Sequence, residues 1–398
     1  MNNTKTMIKL ADKKYCTACG ACAFVCAKHC ITMSEDEHGL IYPKLDTTNC
    51  VECGRCQKTC PIISPLDVNT PQTAYSAWST DDKERDTSAS GGIAAEIYKK
   101  AVDKGYEIVG AVQKEDFRVI MDLASDDTAI SKFKNSKYVF SEAWHVYPEI
   151  KENLKQCKKV VYIGLPCQVA ALRKLFKEHE NLLLIEVVCH GTAPFSYLKQ
   201  HIENIEQAKN ETAVRMSFRD PDTYTYTYTF TLYNRDGKRF YAEVPRKTDT
   251  YQYAYHSTIS YRENCYHCHF AKEKRIADVT LSDYKGLGRL APCSYGETNV
   301  SCILINTEKG RQFINELIQD KRIHVDERPL REPIEGDPQL RQPSQKGPAR
   351  LDFERLIVGN DFETTMQIVM KKDRRRKQIR KIWHFPIDAL RLIKRSFS

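Results

Sequence analysis

No stretch of this chain is both apolar enough and long enough to span a bilayer. The longest apolar run, Leu182 to Val188, is short and interrupted by Glu186, whereas a membrane helix needs about 20 apolar residues. The opening MNNTKTMIKLADKK lacks the apolar core of a secretory leader, so a cytoplasmic location is expected. Charge of one sign is missing from most of the chain as well. Of 61 Lys and Arg and 52 Asp and Glu, the segment from Lys371 onward holds 11 and 2, which leaves 50 of each sign elsewhere and puts the net +9 in the tail. A neutral body offers no continuous basic face, so no nucleic-acid partner is expected.

What is present is cysteine. Nine of the 16 lie in the first 60 residues, and eight of them form two identical CxxCxxCxxxC runs offset by 34 positions: Cys16, Cys19, Cys22, Cys26 and Cys50, Cys53, Cys56, Cys60. Structural zinc uses CxxC pairs a dozen or more residues apart, which would leave the third cysteine of each triplet without a purpose. A disulfide framework belongs to an oxidising compartment and to short secreted chains. The spacing fits two 4Fe-4S clusters with crossed ligation, in which three thiolates come from one run and the fourth from the other. Cys16, Cys19, Cys22 and Cys60 are expected to hold one cluster, and Cys50, Cys53, Cys56 and Cys26 the other. Cys60 precedes Pro61 in the usual way, but Cys26 precedes Ala27. Cys30 is left over.

The 398 residues are enough for two or three domains, and an apolar fraction of 41% is ordinary. Residues 1–64 are expected to form a bacterial-ferredoxin-like two-cluster module, with ITMSEDEHGLIYPKL as a hairpin turning near His38 and Gly39 and a short helix after each cysteine loop. Beyond a Pro- and Ser-containing spacer, the alternation of strand-like and helical patterns points to a mixed α/β domain over 70–370, making the whole α+β / α/β. Gly91 and Gly92 open a helix reaching Lys104; EIVGAV, KKVVYIG and NLLLIEVV read as buried strands. The Thr and Tyr alternation in RMSFRDPDTYTYTYTFTLYNRDGKRFY has period two and is expected to be an antiparallel hairpin turning at Asp236 and Gly237. Residues 331–350 carry no periodicity and read as an extended covering segment.

Four further cysteines stand where loops should be. Cys167 in GLPCQ and Cys189 in VVCHG each follow a buried strand, and Cys265 and Cys268 form a CxxC. Spacing alone leaves two readings open: a further metal centre, or buried free thiols.

Several passages resemble the beta-subunit family of coenzyme F420 hydrogenases and dehydrogenases. They are SASGGIAAEI, SKYVFSEAWHVYPEIKENLKQCKKVVYIGLPCQVAALRKLF, VVCHGTAPFSYLKQHI, FRDPDTYTYTYTF, CYHCHFAKEKRIADVTLSDYKGLG and SCILINTEKG, in that order. The resemblance covers about 70–370 and implies a flavin, usually FAD, and a 4Fe-4S cluster. It assigns Cys167, Cys189, Cys265 and Cys268 to a third cluster. It also favours Ser88, Ser90, Gly91 and Gly92 as the start of a helix whose free N–H groups hold the flavin pyrophosphate, where an ordinary capped helix is the alternative. Lys137, Tyr138 and Ser141 fall in a stretch similar to the family's flavin-proximal segment. Asp283 matches an acidic position of the family, although Lys285 replaces the aromatic residue that usually precedes the glycine. Arg275 and Asp278 are candidates for an ion pair ordering that loop, and His190 for a proton relay or a structural histidine.

Clusters exchange single electrons, whereas organic substrates exchange hydrides, and a flavin joins the two chemistries. The expected function is therefore an iron-sulfur flavoprotein oxidoreductase. It would link a redox protein partner, ferredoxin-like or a hydrogenase or dehydrogenase subunit, to an organic two-electron substrate, deazaflavin-like or other. The alternative is an electron-transfer subunit without a substrate of its own. The tail, 371–398, joins a basic run to Ile387, Leu390, Ile393 and Phe397 on one helical side, a pattern suited to a membrane surface, to a partner or to a plain solvated helix.

Overall fold

The computed structural model describes residues 8–396 except 224, 246 and 247, and only the backbone of 226 and 380–396. Antiparallel strands Ile31–Glu35 and Ile41–Leu45 form the expected hairpin of the N-terminal module. The Asp36 carboxylate accepts from the N–H groups of His38 and Leu40 and closes the turn. The two cysteine runs repeat in backbone as well as in sequence. Ala18 and Glu52, 34 positions apart, have φ of 53° and 51°, and Gly20 and Gly54 have 75° and 70°. Each left-handed glycine starts a short helix, Ala21–Phe24 or Arg55–Thr59. The helices thus begin inside the cysteine runs and carry Cys22 and Cys56, instead of following the runs.

A nine-stranded sheet forms the centre of the larger domain. From one edge its order is Ile323–Arg328, Thr73–Ser79, Ser301–Ile305, Val279–Asp283, Leu182–Val187, Val160–Gly164, Glu107–Gln113, Val119–Ala124 and Ser141–Glu142. The middle four run parallel, and the three pairings on one flank and the Glu107–Gln113 pairing on the other are antiparallel. VVYIG is buried at every position and LLLIEV at all but its last, as strands covered on both faces must be. Helices Ile93–Asp103 and Glu308–Gln319 pack on one face. Helices Tyr147–Lys155 and Pro166–Phe176 cover the other, together with Ala21 of the cysteine module. The module is tied down further where the Tyr147 hydroxyl donates to the Cys19 carbonyl (2.7 Å) and Arg262 donates to the Ile41 carbonyl (2.9 Å).

A separate apolar core joins helices Phe195–Lys209, Thr250–His256 and Pro348–Leu356 to a three-stranded sheet of Arg239–Glu243, Phe230–Tyr233 and Arg215–Ser217. The hairpin does turn at Asp236 and Gly237, but the described residues of the Thr and Tyr alternation become strand only from Phe230. Pro221–Thr223 and Thr225–Thr227 are 3-10 turns. Their hydroxyls find other partners, Thr225 across the fold at the Ser88 carbonyl and Thr227 four residues back at the Thr223 carbonyl, and a local bond of the second kind competes with a sheet ladder. Residues 331–350 are likewise not simply extended, since they contain helix Arg331–Gly336, the 3-10 turn Pro338–Leu340 and the start of Pro348–Leu356. Buried Glu332 holds this segment by accepting from Arg328, the Tyr284 hydroxyl and the Leu290 N–H.

The last helix, Phe362–Ser396, runs unbroken across position 371. Its first turns bury Phe362, Met366 and Val369, and Asp373 accepts from the Tyr253 hydroxyl at 2.7 Å. The side chains of Ile387, Leu390 and Ile393, and Phe397 altogether, lie outside the described residues. Among the described residues, no helix is long and apolar enough to cross a membrane.

Candidate functional site

The expected ligand thiols gather in three groups. Cys16, Cys19, Cys22 and Cys60 line one recess, whose wall Cys56 of the second run also reaches. Burial raises the Cys16, Cys19 and Cys22 thiols, Cys19 to about 12, and the nearby Cys60 pushes each further. Cys60 therefore meets the first run, as crossed ligation requires. Cys26 packs with Cys50 and Cys56 in the small apolar cluster around Ile8 and Ile31. Cys56 is raised by burial and by the approach of Cys50 and Cys53. The leftover Cys30 is buried beside this second group, and its N–H donates to the Cys26 sulfur at 3.3 Å.

The third group needs the whole fold to assemble. Cys167 sits in the first turn of the helix after strand Val160–Gly164, and Cys189 lies just past the neighbouring strand Leu182–Val187. Both therefore stand at the carboxyl ends of parallel strands, where α/β sheets place their functional turns. The 3-10 turn Glu263–His267 and the residue after it bring up Cys265 and Cys268. All four line one cavity, together with Thr17, Ala18 and Cys19 of the N-terminal module. Burial pushes the Cys167 thiol well up, and Cys189, Cys268, Cys265 and Cys19 add to the rise; Cys268 is pushed up to about 11. Crowded thiols are costly to ionise unless positive charge stands among them, so the donor set fits an iron-sulfur cluster. The Thr192 N–H donates to the Cys265 sulfur at 3.4 Å, the kind of bond that supports a ligating thiolate. Among the described residues, no three His, Cys, Asp or Glu are gathered closely enough for a single metal ion. The thiols instead surround a space.

Beyond this group lies a second cavity of about 350 Å³, which shares Cys189, His190, Gly191 and Thr192 with the first. Ser88, Ser90, Gly92, Lys137, Tyr138, Ser141 and Asp283 all line it. Gly91 does not. Its N–H donates to the Ser301 hydroxyl at 2.9 Å, and a Cβ there would stand 2.4 Å from the Ala77 carbonyl oxygen, so this glycine serves close packing. Gly92, at φ 82°, is the N-cap of helix Ile93–Asp103, and no side chain caps that helix. Ile93, Ala94 and Ala95 follow it along the cavity wall, so an uncapped helix start faces the space, as an anionic ligand requires. The Asn135 side-chain oxygen, also on this wall, is buried without a partner, an acceptor that a ligand N–H would satisfy. On these two observations the cavity fits a flavin dinucleotide.

Lys137 has a different part from the one expected. Its amine donates to the carbonyls of Lys132 (2.7 Å), Lys134 (2.9 Å) and Phe133 (3.1 Å), which occupy its three protons. Burial pulls its pKa down to about 7. Lys137 caps the short helix Ile130–Phe133 and fixes the turn that follows, leaving no proton for a phosphate. Ser141 accepts from the Gln168 amide at 2.9 Å. Tyr138 packs against Tyr255 with its ring tilted by 37° and centroids 4.7 Å apart. Asp283 pairs with Arg219 at 3.1 Å.

Arg219 is the residue that the sequence did not single out. It is buried at 3% exposure, donates to the Tyr138 hydroxyl (2.8 Å), to Asp283 and to the Ala89 carbonyl, and lies 4.0 Å from the Tyr228 ring centre. One guanidinium therefore joins three separate walls of the cavity. Its only trace in the sequence is its place within FRDPDTY. Arg275 and Asp278 do not pair with each other: Arg275 pairs with buried Glu186, and Asp278 with Arg173. Each is drawn to a closer buried opposite charge on the central sheet or its covering helix. His190 lines both cavities, with its Nε2 3.8 Å from Asp337. Cys157, Cys293 and Cys302 line neither.

Residues 157–329 match the family model for the C terminus of the coenzyme F420 hydrogenase/dehydrogenase beta subunit, and residues 15–62 match that of a 4Fe-4S dicluster domain. The chain is 24% identical over 363 residues to the F-subunit of the F(420)H(2) dehydrogenase of Methanosarcina mazei, covering 88% of this chain and 94% of that protein. A solved structure of the F420-reducing [NiFe] hydrogenase complex from Methanosarcina barkeri contains a chain with 20% identity and a TM-score of 0.42, covering 78% of this chain and 94% of that one. Residues 157–329 thus carry the C-terminal domain of the coenzyme F420 hydrogenase/dehydrogenase beta-subunit family, behind a 4Fe-4S dicluster domain at residues 15–62.

Proposed function

We propose that this protein is an iron-sulfur flavoprotein oxidoreductase that relays electrons between a one-electron partner and an organic two-electron reactant. The observation that carries this reading is continuity: Cys19 of the first thiol group lines the third group's cavity, and Cys189 to Thr192 line both that cavity and the larger one. The order along the protein is thus the Cys26, Cys50, Cys53, Cys56 group, then Cys16, Cys19, Cys22, Cys60, then Cys167, Cys189, Cys265, Cys268, then the cavity.

Iron-sulfur clusters held by the three groups would supply one-electron chemistry, and FAD in the cavity would supply the exchange between single electrons and hydride. The protein's own residues prepare that space. The uncapped start of Ile93–Asp103 would hold the pyrophosphate, and Arg219 ties Tyr138, Asp283 and the Ser88–Gly92 loop into one wall. Lys137 fixes the turn at Asn135. His190, between the two cavities, is placed to hand a proton to a bound reactant.

Anaerobic purification tests the reading. Three clusters amount to about 12 iron atoms per chain, accompanied by one FAD released on denaturation. Protein that is reconstituted with iron and sulfide yet holds neither sinks the proposal. A second reading, an electron-transfer subunit without its own substrate, is favoured by the name of the 24% identical relative, which is itself a subunit. A stoichiometric second polypeptide recovered with the tagged chain would support it.

A further inference from the structure

We propose that the rim of the outermost thiol group is a docking face for an acidic one-electron carrier protein. The proposal rests on the cluster reading above and adds where the partner sits and what charge it carries. Of the 12 candidate ligand cysteines, Cys53 alone is exposed. The first group is shielded by the larger domain, where Trp144 lies against Gly20 and the Tyr147 hydroxyl bonds the Cys19 carbonyl. The third group is enclosed between the module and the central sheet. A protein that exchanges single electrons must bring its own centre close to an open edge, and Cys53 marks that edge. Beside it Val51, 62% exposed, provides an apolar contact.

The surrounding charge selects the partner. Arg55 and Lys58 are exposed on one side of helix Arg55–Thr59. The Gln57 amide donates to the Lys9 carbonyl at 3.1 Å, which sets exposed Lys9 against the same helix. Exposed Lys28 stands two residues from Cys26, and its carbonyl accepts from the Cys30 thiol. None of these four cations is in an ion pair among the described residues, whereas Lys13 in the same module is paired with Asp36. Of the nearby acids, Glu52 is half-buried, and Asp46 is exposed with its carboxylate turned to the Thr48 N–H and the Asn49 amide, so four cations stand against two anions. An apolar spot on a module that carries an excess of unpaired cations suits a transient, electrostatically steered complex with an acidic surface. The exchange is simple in balance: the carrier loses one electron, this protein gains one, and no bond forms or breaks.

Binding can be read without turnover. The full-length, iron-loaded protein is titrated calorimetrically with an oxidised 2Fe-2S ferredoxin of strongly negative net charge. Arg55→Glu combined with Lys58→Glu should raise Kd about tenfold or more, and raising salt should weaken native binding in the same direction. Arg235→Glu, at the distant hairpin turn, should leave Kd unchanged. A double variant with native iron content that binds as tightly as the native chain overturns the docking face. So does a native chain that binds a basic cytochrome more tightly than the acidic ferredoxin. A native chain that never takes up iron overturns the cluster reading instead.

Discussion

Arg219 shows how much a single side chain can set in this protein. Its guanidinium is nearly buried and serves three acceptors on separate segments, so replacing it by Leu leaves the Ala89 carbonyl, the Tyr138 oxygen and Asp283 without their donor. Asp283 is 35% exposed on its side chain and recovers part of its loss from water, which holds the expected destabilisation to about 2 kcal/mol. The larger effect should be local. Arg219→Leu should purify with native iron but with markedly less FAD, because the cavity wall loses its tie while every thiol group is untouched. An unchanged ratio of flavin to iron would remove Arg219 from the site. A buried arginine on a turn leaves no periodic mark in a sequence. The eight N-terminal cysteines do, because their chemistry dictates their spacing.

At the scale of elements, what was legible followed from local physics. The VVYIG and LLLIEV runs could only be covered strands, and the residues just past them, Cys167 and Cys189, necessarily fell at the sheet's carboxyl edge. The hairpin at His38 and Gly39 and the helix after Gly92 were similarly forced. The Thr and Tyr stretch misled because β-propensity describes a residue's fit to a pleated surface, while here hydroxyl bonds to the Ser88 and Thr223 carbonyls held the chain in turns. Also invisible was the clamp on the last helix. His201, on helix Phe195–Lys209, stands between Asp249 at 2.9 Å and Glu363 at 2.5 Å, so three elements meet at one imidazole. Burial opposes its charge, but the two carboxylates prevail and raise its pKa to about 9. A raised histidine contributes stability in full below its unfolded value near 6.5 and loses it as pH climbs through the folded value. Melting temperature should therefore fall between pH 6.5 and 9, by an amount equivalent to roughly 3 kcal/mol. His201→Gln should be less stable at pH 6 and should show a flatter profile over that window. An equal slope in both proteins would mean that the imidazole stays neutral in the fold.

At the scale of the whole molecule, the arrangement is a sequence of contacts running from an open rim to a large, partly open cavity. The local pattern of the chain specifies its first half, since two groups of thiols lie within 45 residues of one another. The second half is specified only by the fold. Cys167 and Cys268 are 101 positions apart in sequence and meet because neighbouring parallel strands and one 3-10 turn end at the same place. Cys268 is the useful probe of that convergence, since it lines the third group's cavity but not the larger one. Cys268→Ala should therefore lower iron from about 12 to about 8 atoms per chain while leaving bound FAD intact. The spectroscopic signals of the two N-terminal clusters should survive, and an external one-electron donor should still reduce them. On the proposed relay, electrons should then arrive at the flavin far more slowly than in the native protein, because the thiol group between Cys19 and Cys189 could no longer hold a cluster. If instead iron stays at the native level, the four thiols do not share a cluster. If iron falls while the flavin is reduced at the native rate, the third group stands beside the path and not within it.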